Sequence, residues 1–143
     1  MIKYPYLFLG LFFTIYLLAA CENGDPKPKQ IINPNGDSEL ALLMREMFDD
    51  AMRMKMEVAA GKTPKVKHSF EEIFTASATE PEKVKSEIYE AVGNEYLRSV
   101  QNLKQGSKIN ADQLYLEVVQ NCMNCHKALC PGPMVRIEKL YLD

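Results

Sequence analysis

The chain has no tryptophan and, across 143 residues, only two histidines, four cysteines and seven glycines. It lacks a glycine-rich phosphate loop, and no nucleophile stands beside an organised base. With no metal-ligand cluster outside one short stretch near the C-terminus, an enzyme is not expected. Sustained period-two alternation between turns is also missing, which argues against a sheet and for an all-α chain. There is no internal repeat. The 17 Lys and Arg against 19 Asp and Glu leave a formal charge of −2, which is no balance for binding nucleic acid.

What is present is the stretch Cys122-Met-Asn-Cys125-His126. Two cysteines two residues apart, followed at once by histidine, suit covalent attachment of one c-type haem. On a helix, positions i, i+3 and i+4 share a face. The Cys122 and Cys125 sulfurs can then form thioethers to the haem vinyl groups while His126 turns in as the proximal iron ligand. Three other chemistries compete. A thioredoxin-like dithiol needs βαβ patterning, and nothing nearby is β-rich. A zinc site from Cys122, Cys125, Cys130 and His126 has four ligands on paper, but Cys125 and His126 are adjacent and no second ligand pair lies elsewhere. Structural or oxidised cysteines are the third. Cys130 reads as a buried apolar thiol.

Haem attachment requires the chain to leave the cytoplasm. Residues 1–20 carry Lys3, an apolar run from Tyr4 to Leu18 and the small pair Ala19-Ala20, the parts of a secretory signal. Ala19-Ala20-Cys21 resembles the lipobox of bacterial lipoproteins. That resemblance implies cleavage before Cys21 and lipidation of it, anchoring the chain to a membrane of the cell envelope and facing the periplasm or exterior. An uncleaved N-terminal membrane helix is the alternative, and it too holds the domain outside the cytoplasm. Cleavage shortens 143 residues by 20 and removes only Lys3 among the charges, so 16 basic residues face 19 acidic ones. Residues 21–37, rich in Pro, Gly, Asn and charge, read as a flexible tether, and residues 38–143 as one helical domain.

Within that domain, Ser38 caps a first helix and Gly61 ends it. Leu40, Met44, Met47, Ala51, Met54 and Val58 form its apolar stripe, and Glu46, Asp49, Asp50, Arg53 and Glu57 its polar side. Met44, Met47, Met52, Met54 and Met56 are five of eight methionines. A thioether can bind haem iron opposite histidine, yet methionine is also ordinary core filler. Met44 is the preferred distal ligand and Met47 the alternative, since both lie on the apolar face. His68, in the connection 62–80, reads as a solvated loop histidine. Within that connection Phe70–Phe74 is a short helical candidate. A second long helix opens at Thr79, with Pro81 and Glu82 completing its start, and ends at Gly106. Its stripe is Val84, Ile88, Val92, Tyr96, Val100 and Leu103. A third runs from Asn110, with Gln113 at its third position, to Leu129, where Pro131 and Pro133 stop it. Residues 134–142 leave room for one more short helix.

The haem motif near the C-terminus of such a chain resembles class II cytochromes c, the cytochrome c′ group. The resemblance spans residues 38–130 and rests on Cys122-Met-Asn-Cys125-His126 and its position. It implies an antiparallel four-helix bundle holding haem c, with the sixth iron position approached from the first helix, here Leu43-Met44-Arg45-Glu46-Met47. It also implies redox protein partners and pairing of two copies. The chain departs from the family after His126, where Cys130-Pro131-Gly132-Pro133 breaks the final helix. With Met44 or Met47 on iron, the expected function is one-electron transfer between membrane-bound respiratory partners. With only apolar bulk there, the iron is five-coordinate and binds nitric oxide or carbon monoxide. A haem-bearing accessory subunit of a larger complex is the third reading.

Overall fold

The computed structural model describes residues 37–67 and 70–142. The expected signal peptide, the lipidation site Cys21, nearly all of the tether and His68 lie outside the described residues.

The first helix, α1, spans Glu39–Ala59. The Ser38 hydroxyl accepts the Ala41 N–H at 3.2 Å, satisfying one of the donors that a helix start leaves free. At the other end Gly61 takes φ +66°, the left-handed region that glycine enters without steric cost. Met47, Ala51 and Met54 are buried along one face.

Asp50 departs from the expected polar side, being only 6% exposed. The segment after Gly61 folds back over it. The Asp50 carboxylate accepts the Lys67 N–H at 3.3 Å and a bond from the Arg53 guanidinium. Arg53 also donates to the Lys65 carbonyl and to Glu57. The helix wheel alone gives no sign of that covering segment. The stretch Glu71–Phe74 is a 3-10 turn.

The long helix expected from Thr79 to Gly106 is two helices, α2 at Pro81–Val84 and α3 at Glu87–Gln105. Glu80, not Thr79, holds the cap position of α2. The Thr79 hydroxyl donates instead to Ser38 Oγ at 3.0 Å, and Glu82 pairs with Lys85. Ser86 makes the break. Its hydroxyl donates to the Lys83 carbonyl at 2.7 Å and accepts the Tyr89 N–H at 3.2 Å, capping α3 afresh. Such local side-chain bonds compete with the helix ladder. The break also resets the buried face. Tyr89, Gly93, Tyr96, Val100 and Leu103 point inward, while Ile88 from the expected stripe is 56% exposed.

Helix α4 spans Ala111–Leu129. Asn110 occupies its cap position, but its side chain turns back to accept the Ser107 N–H at 2.9 Å, and Gln113 reaches Glu117. The pair α3–α4 runs antiparallel, with Asn121 meeting the Glu95 carbonyl near mid-helix and Gly106 against Leu114 near one end. Beyond Pro133 come α5, Met134–Ile137, and a 3-10 turn, Glu138–Leu140. Ile137 and Leu140 are buried; Val135 faces out. Among the described residues there is no strand, so the fold class is all-α. Their long helices are α1, α3 and α4.

Two phenols fix the short segments to this frame. The Tyr89 hydroxyl donates to the Ile73 carbonyl at 2.5 Å, and the Tyr115 hydroxyl to the Leu140 carbonyl at 2.8 Å. A buried hydroxyl needs such a partner. The two segments so held form walls of the cleft that α1, α3 and α4 enclose.

Candidate haem site

That cleft gathers the residues that the motif singles out. Cys122, Cys125 and His126 line it from α4, and Met44 and Met47 from α1. The helical spacing of the first three makes the shared face unavoidable once α4 forms. Met47 is buried and Met44 half-buried. The remaining methionines of α1 separate from them: Met54 is core at 1% exposed, Met52 is half-buried outside the cleft lining and Met56 is 70% exposed. Helix α3 contributes Gly93 and Tyr96, and the two latched segments contribute Ile73 and Leu140.

The walls are almost wholly apolar. The empty space, counted out into the open solvent at the mouth, is about 570 Å³. Only about 60 Å³ of it admits the centre of a water molecule, so the walls must part to seat a macrocycle. The donor chemistry fits haem c: two thiols and an imidazole open from one helix face into a greasy cleft. No three His, Cys, Asp or Glu side chains among the described residues converge closely enough to hold a metal ion by themselves.

Electrostatics disfavours thiolate chemistry here. Burial pushes the Cys122 thiol up from 9.0 to about 12, with Cys125 beside it adding to the effect. Cys125 rises to about 11, again through burial and then through its neighbour Cys130. Redox-active dithiols need the opposite shift. Both thiols stay protonated at neutral pH, as the reagent for vinyl addition rather than as a ready nucleophile. Burial also lowers the basicity of His126, with the Cys130 carbonyl opposing, so the ring is kept neutral and one nitrogen lone pair is free.

Cys130 is half-buried, its Sγ 3.3 Å from His126 Nδ1, and its carbonyl oxygen lies 3.1 Å from the same nitrogen. Sequence reasoning missed this contact, although the Cys130-Pro131 step carried the signal. Tyr96 is 5% exposed, borders the cleft, and its hydroxyl bonds no other described residue. Burial, with Cys122 and Asp50 nearby, keeps that hydroxyl protonated.

No helix of the described residues is long and apolar enough to cross a membrane. Compared with known protein families, curated proteins and solved structures, the chain matches none.

Proposed function

We propose that the chain is a c-type cytochrome of the class II kind, a haem-bearing helical bundle tethered by lipid on Cys21 to a membrane of the cell envelope. It passes single electrons between respiratory partners outside the cytoplasm. The observation that carries the proposal is the convergence of Cys122, Cys125, His126 and the pair Met44 and Met47 on one apolar cleft. When bound, haem supplies the one-electron chemistry. Cys122 and Cys125 hold it covalently and His126 offers the proximal nitrogen. Met44, or Met47 in its place, would offer the iron a soft sulfur ligand. The apolar walls exclude water, which limits solvent reorganisation when the charge of the site changes.

An optical spectrum of the matured chain, oxidised and reduced, with and without carbon monoxide, tests this. A low-spin reduced spectrum unmoved by carbon monoxide supports the carrier. A high-spin spectrum that carbon monoxide shifts overturns it in favour of a gas-binding protein. One observation favours that second reading: Tyr96, whose hydroxyl bonds no other described residue, borders the cleft and would offer a donor to a small ligand there.

A further inference from the structure

We infer that Pro131 is a positioning residue for the proximal histidine. By ending α4 it turns the Cys130 carbonyl onto His126 Nδ1, so that the ring carries its proton there and presents Nε2 to the iron. The inference rests on the haem reading above and assigns a use to the helix break that separates this chain from the family it resembles.

The geometry follows from two constraints on one residue. The Cys130 N–H still completes the last turn of α4, donating to the His126 carbonyl at 3.0 Å. Its ψ cannot remain helical, because a residue before proline is driven out of the α region by the pyrrolidine ring. Cys130 accordingly takes φ −153° and ψ 80°. In a continuing helix its carbonyl would point along the axis toward the next turn. Here it swings sideways and stops 3.1 Å from the imidazole nitrogen one turn back.

A carbonyl oxygen only accepts, so Nδ1 must donate. A neutral ring then has its lone pair on Nε2, the nitrogen left to coordinate. The thiol of the same residue also approaches Nδ1, at 3.3 Å. A thiol is only a weak donor and a weak acceptor, and it lies farther from Nδ1 than the carbonyl oxygen does, so the carbonyl decides the tautomer. A partner of this kind fixes ring orientation and raises ligand basicity. A more basic proximal ligand stabilises oxidised iron over reduced iron, which lowers the reduction potential.

Two variants separate the two atoms of Cys130: Pro131→Ala frees the carbonyl, whereas Cys130→Ala removes only the sulfur. In the haem-free full-length chain, with its amide spectrum showing it folded, nitrogen-15 NMR of labelled histidine at a pH where the ring is neutral reads the tautomer. We expect His126 to be mainly Nδ1–H in the parent and in Cys130→Ala, and mainly Nε2–H, the ordinary form of a free imidazole, in Pro131→Ala. In the haem-loaded chain, Pro131→Ala should raise the reduction potential while Cys130→Ala leaves it in place. A parent that is mainly Nε2–H, a switch caused by Cys130→Ala, or a Pro131→Ala variant indistinguishable from the parent in both readouts overturns the inference. The tautomer needs no haem, so loss of the haem reading and loss of this inference are separately visible.

Discussion

Gly93 and the Phe74 ring leave no room between them: a β-carbon built on Gly93 would stand 2.8 Å from Phe74 Cε1. The same ring meets Tyr89 edge-on, with centroids 6.1 Å apart, so this close approach joins the Tyr89–Ile73 bond in seating the 3-10 turn on α3. Gly93→Ala gains about 1 kcal/mol of helix propensity and loses about 1–3 kcal/mol to overpacking. Displacing Phe74 breaks its contact with Tyr89 as well, so we predict a net loss of about 1 kcal/mol. That is a fall in Tm of about 4 °C for a domain of this size, read by thermal unfolding.

Asp50 joins α1 to the segment that covers it. Asp50→Ala removes the acceptor of the Lys67 N–H and of the Arg53 guanidinium at a buried position. The expected cost is about 2 kcal/mol, the scale for stripping a buried charged hydrogen-bond partner. Urea unfolding measures it, and a loss below a few tenths would show that Arg53 holds the segment through the Lys65 carbonyl and Glu57 without Asp50.

The Tyr115 latch gives a third test. Tyr115→Phe leaves the buried Leu140 carbonyl without its phenol donor. Stability should fall by about 1–2 kcal/mol, and amide hydrogens of residues 134–142 should exchange faster while those at the centre of α4 keep their rates relative to global unfolding.

Alkaline stability should separate the haem-free chain from the loaded one. The thiols of Cys122 and Cys125 rise from 9.0 to about 12 and about 11 on folding. Below pH 9 both states are protonated and the full stability is present. Between pH 9 and about 12 the unfolded chain releases those protons first, so stability is lost as pH rises. Thioether formation consumes both thiols. The loaded chain keeps one such thiol, Cys130, which burial also raises above 9.0. It should therefore lose less stability than the haem-free chain between pH 9 and 10. It should weaken further above pH 10, where Tyr89, raised from 10.0 to about 12 by burial, begins to contribute. Urea unfolding at pH 8, 9, 10 and 11 on both forms checks this; the same slope in both would contradict it.

Much of this was legible in the sequence because it is local. Ser38, Gly61, Gly106 and Pro131 punctuate helices by short-range steric and hydrogen-bond rules, and the i, i+3, i+4 spacing fixes the face of Cys122, Cys125 and His126. What escaped depends on competition between equals or on distant chain. Ser86 and Thr79 are both competent caps; Ser86 restarts the helix, while the Thr79 hydroxyl bonds Ser38 across the fold. Asp50 looks like any solvated acid until residues 62–67 close over it. Met56 lies off the apolar stripe, but Met54 shares a face with Met47 and is separated from it only by where along α1 the cleft opens. The Cys130 carbonyl was signalled only indirectly, by the proline that follows it.

The central claim is that Cys122 and Cys125 bind haem covalently, and the most direct measurement is the intact mass of the chain matured with the haem-attachment machinery, alongside haem staining of a denaturing gel. The account predicts one haem per chain that survives denaturation, and its loss in the Cys122→Ala, Cys125→Ala double variant. An unmodified mass for the parent, or a double variant that keeps its haem through the gel, would contradict it.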